Sequence, residues 1–119
     1  GTVFLRRLGM RPEPVSSAAG QPPRTWRLAV ESGPGAGASH RLGEQGVIGR
    51  GRESTIRLED ARVSRTHALL QRTDPGYLII DQGSKNGTFV NGERIEQPTP
   101  VDSGDVLSMG DTRLVLRRE

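Results

Sequence analysis

Residues 62–67 read Arg-Val-Ser-Arg-Thr-His and concentrate reactive and cationic groups just before an apolar run. A serine hydroxyl three residues before a histidine could supply a nucleophile and a general base. The two arginines could instead contact nucleic acid, or join the hydroxyl in binding an anion. The residues of this segment are therefore compatible with three kinds of site: catalytic, nucleic-acid-binding and anion-binding.

A catalytic pair is the weakest of these interpretations. Side chains at i and i+3 of an extended strand point to opposite faces, so Ser64 and His67 would meet only across a turn. No acidic residue stands at a position suited to orient the imidazole. We predict no catalytic residues and a chain that is not an enzyme.

The hypothesis of nucleic-acid binding is based on an excess of basic residues. The chain has 17 Lys and Arg against 14 Asp and Glu, which gives a net charge of +3. All but one of these cations are arginines, whose planar guanidinium suits phosphate and carboxylate. Aromatic residues make up only 3% of the chain, and no basic run alternates with side chains that could stack on bases. We predict no nucleic-acid partner.

An anion site has the best support, because three polar loops at 48–55, 62–67 and 81–88 each adjoin an apolar segment. If the fold gathers these loops at one end, their polar side chains form a pocket rich in hydrogen-bond donors. The members are Arg50, Ser64, Arg65, Lys85 and Asn86. Three cations, a hydroxyl and an amide without a neutralising acid favour a dianion, most simply a phosphate.

The elements that must position these loops are short and extended. Apolar residues alternate in the segment 26–31, and similar short runs follow about every ten residues, separated by glycine and proline. Asn91-Gly92 is typical of a two-residue β-hairpin turn. No helical period is sustained after Trp26, so the pattern predicts an all-β fold, a sandwich or a barrel. Arg57 and three other arginines are expected to face solvent from strands.

The N-terminal composition differs from the rest. Prolines and small polar residues between 11 and 24 predict a flexible tail or linker over 1–24, followed by one domain over 25–119. The chain has no cysteine, and its acidic residues lack the spacing of a calcium loop, so we predict no metal and no cofactor. No segment has the apolar length of a signal peptide core or a membrane span, which predicts a cytoplasmic chain without membrane insertion.

The motifs Gly49-Arg50, Ser64 to His67, Asn86-Gly87 and a second Asn-Gly pair follow one another in the order and spacing of a known module. In these residues the chain resembles a forkhead-associated (FHA) domain, a module that binds phosphothreonine peptides. The resemblance runs from about Trp26 to Arg117. It implies a β-sandwich of two mainly antiparallel twisted sheets with the ligand loops at one end.

The same resemblance implies roles for individual residues. Arg50 would grip the phosphate, with Gly49 allowing a sharp backbone turn beneath it. Ser64 would donate a second hydrogen bond, and Arg65 and Lys85 would add positive charge.

Three further residues are assigned through the resemblance. Asn86 would bond the peptide backbone beside the phosphothreonine. His67 and Gly87 would support the loops structurally.

The expected partner is a protein or peptide that carries phosphothreonine, modified beforehand by a Ser/Thr protein kinase. An alternative is self-association or autoinhibition, in which Thr2 or Thr25 near the N-terminus is the phosphorylated residue.

Overall fold

The computed structural model describes residues 25–119, and the predicted tail over 1–24 lies outside the described residues. Residues 25–119 form short strands joined by turns and loops, with no helix among them. The strands are β1 (Trp26–Ser32), β2 (Ser39–Leu42), β3 (Gln45–Gly49), β4 (Ile56–Arg57), β5 (Ala68–Arg72), β6 (Tyr77–Asp81), β7 (Phe89–Val90), β8 (Glu93–Arg94), β9 (Thr99–Val101), β10 (Val106–Met109) and β11 (Thr112–Arg118).

The strands form two sheets. The first sheet has five strands in the order β9-β6-β5-β3-β4, and the second has six in the order β2-β1-β11-β10-β7-β8. Neighbouring strands are antiparallel except β3 and β4, which are parallel. The all-β sandwich predicted from the sequence is confirmed. This part of the chain contains no helix long and apolar enough to cross a bilayer.

The core lies between the two sheets and follows from the alternation of side chains along each strand. In β1 the buried positions are Trp26, Leu28 and Val30, with half-buried residues between them. Burying each of these side chains contributes about 1.5–3 kcal/mol. Facing residues of the first sheet close the core. They are Ile48, Ala68, Leu70, Tyr77 and Ile79.

The hairpin signal at Asn91-Gly92 is confirmed. Asn91 has φ of 50° and Gly92 has φ of 87°, and the two residues join β7 to β8. Two strands, β2 and β9, were not predicted from the sequence. Both have little apolar alternation, and they contain a histidine and a proline respectively. Both lie at sheet edges, where such residues are tolerated.

Candidate functional site

The register of the first sheet brings the three polar loops to one end of the molecule. Ile48 near the end of β3 pairs with Ala68 at the start of β5, and Ala68 pairs with Asp81 at the end of β6. The chain therefore leaves β3, enters β5 and leaves β6 at the same edge. This places the loops 50–55, 58–67 and 82–88 next to one another.

The first two loops are joined through their backbones. The N–H of Arg50 donates to the carbonyl of Ser64 at 3.0 Å, and the N–H of Gly51 donates to the carbonyl of Arg65 at 3.1 Å. The Arg50 side chain is held as well, because its Nε–H donates to the carbonyl of Val63 at 3.0 Å. Its two terminal NH₂ groups make no hydrogen bond within residues 25–119, so they are available to a ligand.

The third loop is joined to the second through Ser64 and Arg62. The N–H of Lys85 donates to the hydroxyl oxygen of Ser64 at 3.2 Å, so this oxygen already accepts one hydrogen bond. Its proton has no acceptor in the described part of the chain and is free for an incoming oxyanion. The side-chain amide of Asn86 donates to the carbonyl of Arg62 at 2.7 Å. Its amide oxygen and second N–H make no hydrogen bond to residues 25–119 and can contact a ligand.

His67 is completely buried, and both of its ring nitrogens bond the backbone. Nδ1 lies 3.0 Å from the N–H of Ser64 and Nε2 lies 2.9 Å from the carbonyl of Gly87. A backbone N–H can only donate, so Nδ1 is the acceptor and the proton is on Nε2. A turn does bring Ser64 and His67 together, but the imidazole contacts the serine backbone and not its hydroxyl. This neutral histidine joins two loops and cannot remove the hydroxyl proton.

Two glycines are needed at the site for different reasons. A Cβ on Gly49 would lie 2.0 Å from the carbonyl oxygen of Arg65. Gly49 belongs to β3, so close backbone approach, and not the sharp turn we expected, requires a glycine there. Gly87 has φ of 90°, which favours glycine, and its Cβ would lie 2.9 Å from Nε of Arg94.

Two carboxylates, Asp60 and Asp81, hold the loops, and neither was among the predicted site residues. Asp60 is 2% exposed and accepts hydrogen bonds from the N–H of Arg62, the N–H of Asp111 and the hydroxyl of Thr112. Burial alone would raise the pKa of Asp60, but these hydrogen bonds and the Arg62 charge outweigh it and lower the pKa below its usual value.

Asp81 holds the third loop in the same way. Its carboxylate accepts hydrogen bonds from the N–H and hydroxyl of Ser84 and from the hydroxyl of Thr88. Burial acts to raise the pKa of Asp81, yet these bonds lower it overall. The signal available in the sequence was an acid followed by two hydroxyl residues, Ser84 and Thr88, three and seven positions later.

The site as a whole is cationic and open. The side chains of Arg50, Arg65 and Lys85 are exposed, and Ser64 is half-buried between them. Arg57, expected only to face solvent, donates from Nε to the carbonyl of Arg50 at 3.2 Å and borders the same region. Such an arrangement can bind an oxyanion through charge and preset donors. No cluster of acidic or histidine side chains suited to a metal occurs in residues 25–119.

Comparison with known proteins agrees with this geometry. A family model described as the FHA domain matches residues 46–110, more than half of the chain. The solved structure of Mycobacterium tuberculosis EmbR in complex with a low-affinity phosphopeptide is similar, with a TM-score of 0.74 and 30% sequence identity. That alignment covers 86% of this chain and 26% of the EmbR chain.

Two curated relatives are regulators by name. The glycogen accumulation regulator GarA of Mycobacterium tuberculosis is 38% identical over 103 residues, or 85% of this chain. The oxoglutarate dehydrogenase inhibitor of Corynebacterium diphtheriae is 43% identical over 89 residues, or 74% of this chain. The matched region spans 62% of the length of each relative.

Proposed function

This chain belongs to the FHA-domain family of phosphothreonine-binding modules, and we propose that it docks phosphothreonine-containing segments of partner proteins after a Ser/Thr protein kinase has modified them. The domain acts by recognition and performs no chemistry on the phosphate. The names of GarA and of the oxoglutarate dehydrogenase inhibitor support a regulatory role of this kind. We also propose a cytoplasmic location, because the kinase that would modify the partner needs ATP.

One observation supports the proposal: a backbone hydrogen bond joins two loops, and each loop carries a side-chain donor that has no partner within residues 25–119. The hydrogen bond from the Arg50 N–H to the Ser64 carbonyl, 3.0 Å long, holds the two residues together. Within residues 25–119 the two NH₂ groups of Arg50 and the hydroxyl proton of Ser64 have no hydrogen-bond partner. In the proposed complex both donate to one phosphate, and Lys85 and Arg65 add positive charge around it.

The magnitudes fit reversible docking. Phosphothreonine carries a charge of about −1.5 to −2 at neutral pH. Each charge-assisted hydrogen bond contributes about 1.5–3 kcal/mol. Two or three of them, reduced by the cost of ordering the peptide, correspond to a dissociation constant in the micromolar range, about −8 kcal/mol. The dephosphorylated peptide loses all of these bonds and should not bind measurably.

Arg50→Ala tests the proposal. The substitution removes both free NH₂ groups, so we expect affinity for a phosphothreonine peptide to fall by about 10- to 100-fold. The fold should survive, because an exposed loop cation contributes little to stability. Fluorescence anisotropy with phosphothreonine, phosphoserine and unmodified versions of one peptide measures the effect, and circular dichroism checks the fold.

Arg113→Ala is the matched control, since Arg113 is exposed on β11 of the second sheet. It removes the same charge from the molecule, so its affinity should stay within about twofold of the unaltered chain. Equal losses in both variants would mean that net charge and not the site binds the peptide. Equal binding of phosphorylated and unmodified peptides would overturn the proposal altogether.

In the alternative function, a phosphorylated threonine near the N-terminus is the ligand. The position of Thr25 limits which site a phosphate on this residue could reach. Its carbonyl accepts a hydrogen bond from the N–H of Glu119 at 2.8 Å, next to the start of β1. The other end of β1 lies nearer the site. There Ser32 pairs with Arg113, two residues after Asp111, and the N–H of Asp111 donates to the Asp60 carboxylate in the second loop. A strand of this length spans about 20 Å. A phosphate on Thr25 could therefore reach only the site of another copy.

A further inference from the structure

A cavity of about 610 Å³ opens beside Arg50, and arginine side chains dominate its wall. Arg50, Arg52, Arg57 and Arg65 all border it, whereas Glu53 is the one carboxylate among its lining residues. Pockets of about 300–1,000 Å³ accommodate drug-sized ligands. Ser64 does not line this cavity, which has room for a phosphoryl group in addition to the one that Arg50 and Ser64 would hold.

The four arginines are brought together by the backbone. The parallel pairing of β3 with β4 sets Gly49 opposite Arg57, and the Nε–H of Arg57 donates to the Arg50 carbonyl. On the other side, the Gly51 N–H bonds the carbonyl of Arg65. Arg52 follows Gly51 in the same loop and is exposed. The cluster is thus a consequence of strand register and loop contact.

Within residues 25–119 none of these four arginines forms an ion pair. The ion pairs in residues 25–119 involve other arginines, namely Arg27, Arg62 and Arg117. Neighbouring like charges repel each other. One phosphothreonine brings a charge of at most about −2, which leaves part of the cluster unbalanced.

We propose that Arg52 and Arg57 form a second anion subsite, which binds another phosphorylated residue of the same partner segment. The inference rests on the proposed function and narrows it: the preferred ligand is a doubly phosphorylated peptide. Each guanidinium carries five N–H donors, and a phosphate offers three oxygens to two such groups where a carboxylate offers two. Because the second phosphate arrives on a chain that is already docked, its binding is effectively intramolecular.

A set of related peptides tests the subsite. One peptide carries a single phosphothreonine, a series adds a second phosphothreonine at each nearby position on either side, and a third set has glutamate at those positions. Anisotropy with the full chain should show about a tenfold gain in affinity for at least one doubly phosphorylated peptide. The corresponding glutamate peptide should gain clearly less.

Variants assign the gain to the subsite. Arg52→Ala, and Arg52→Ala combined with Arg57→Ala, should reduce the ratio of doubly to singly phosphorylated affinity toward one. The Arg113→Ala control should keep the full ratio. The ratio is taken between two peptides bound by the same variant. A general loss of affinity in the double variant therefore does not affect the comparison.

Three results would overturn the inference. They are a series in which no second phosphate raises affinity more than twofold, a gain that survives in the double variant, and an equal gain from glutamate. If the singly phosphorylated peptide binds no better than the unmodified one, the proposed function itself fails. Binding of the single phosphate without any further gain contradicts only the second subsite.

Discussion

Ser64 and Arg50 are held by their neighbours before any ligand arrives. The hydroxyl oxygen of Ser64 accepts from the Lys85 N–H, and the Nε–H of Arg50 donates to the Val63 carbonyl. Each side chain thus uses one hydrogen bond to fix its position and keeps other donors free. Groups fixed in this way lose less conformational entropy when they bind, which leaves more of the interaction energy as affinity.

The buried carboxyl of Asp60 makes the stability of the fold depend on pH. The pKa of its buried carboxyl is lower in the folded chain than the ordinary value, about 3.9, expected when unfolded. The unfolded chain therefore binds more protons in acid. The stabilisation is complete above the unfolded pKa and is lost as the pH falls through the folded pKa. The free energy of unfolding, measured by urea titration, should decline below about pH 4.

Asp60→Asn separates this carboxyl from the others. The amide replaces an acceptor oxygen with NH₂, which faces the donors of Asp111 and Thr112. We expect a loss of about 1–3 kcal/mol at neutral pH and a shallower decline in acid. Glu59→Gln, at the exposed neighbouring position, should leave the free energy of unfolding at neutral pH unchanged. An acid decline unchanged in Asp60→Asn would show that another group causes it.

The arrangement of the site depends on how closely strand β3 approaches the loop 58–67. The Arg65 carbonyl lies against the α-carbon of Gly49 and accepts hydrogen bonds from the Gly51 N–H and the Ser54 hydroxyl. This one carbonyl therefore organises the connection between β3 and β4. Any side chain at position 49 pushes it away.

Gly49→Ala should consequently reduce both stability and binding. The new Cβ would stand 2.0 Å from the Arg65 oxygen, a contact with backbone that only a shift of the loop can relieve. Such overpacking costs about 1–3 kcal/mol, and the shift also displaces Arg50 from Ser64. Urea denaturation and peptide anisotropy measure the two effects.

Gly43→Ala is the control for this change. A Cβ at Gly43 meets nothing within 4 Å, and Gly43 lies outside the site. Its stability and affinity should match those of the unaltered chain within experimental error. A Gly49→Ala variant that behaves like the control would mean that the close approach is unnecessary.

For the molecule as a whole, local patterns predicted most of the fold. Alternation along β1 and the turn chemistry of Asn91-Gly92 depend on a few adjacent residues, so both could be read directly. The edge strands β2 and β9 could not, because their pairing depends on neighbours distant in sequence.

The candidate site could be anticipated only in part. The motifs singled out Arg50 and Ser64 as candidates, and their role in binding stays a prediction. The position of Arg57 beside Arg50 depends on a parallel pairing of β3 and β4 that no local pattern indicates. The role of Asp60 could not be predicted from local sequence either. Its partners Asp111 and Thr112 lie about fifty residues further along the chain, so its burial could not be inferred from adjacent residues.

The domain boundary proposed from composition, between residues 24 and 25, is a prediction about the whole molecule. A shortened chain of residues 25–119 retains all of β1, whose Trp26, Leu28 and Val30 fill the core. It also keeps the hydrogen bond from the Glu119 N–H to the Thr25 carbonyl. We expect its melting temperature and its affinity for a phosphothreonine peptide to equal those of the full chain.

A second truncation makes this comparison decisive. Starting the chain at Gly33 removes β1, which lies between β2 and β11, so the second sheet loses pairing on both sides of the gap. Its three core side chains go as well, at about 1.5–3 kcal/mol each. That sum approaches the whole stability of a domain this size, about 5–15 kcal/mol, so the chain should not fold cooperatively in a thermal scan. If removing residues 1–24 alone lowered the melting temperature markedly, those residues would be part of the domain and the boundary would be wrong.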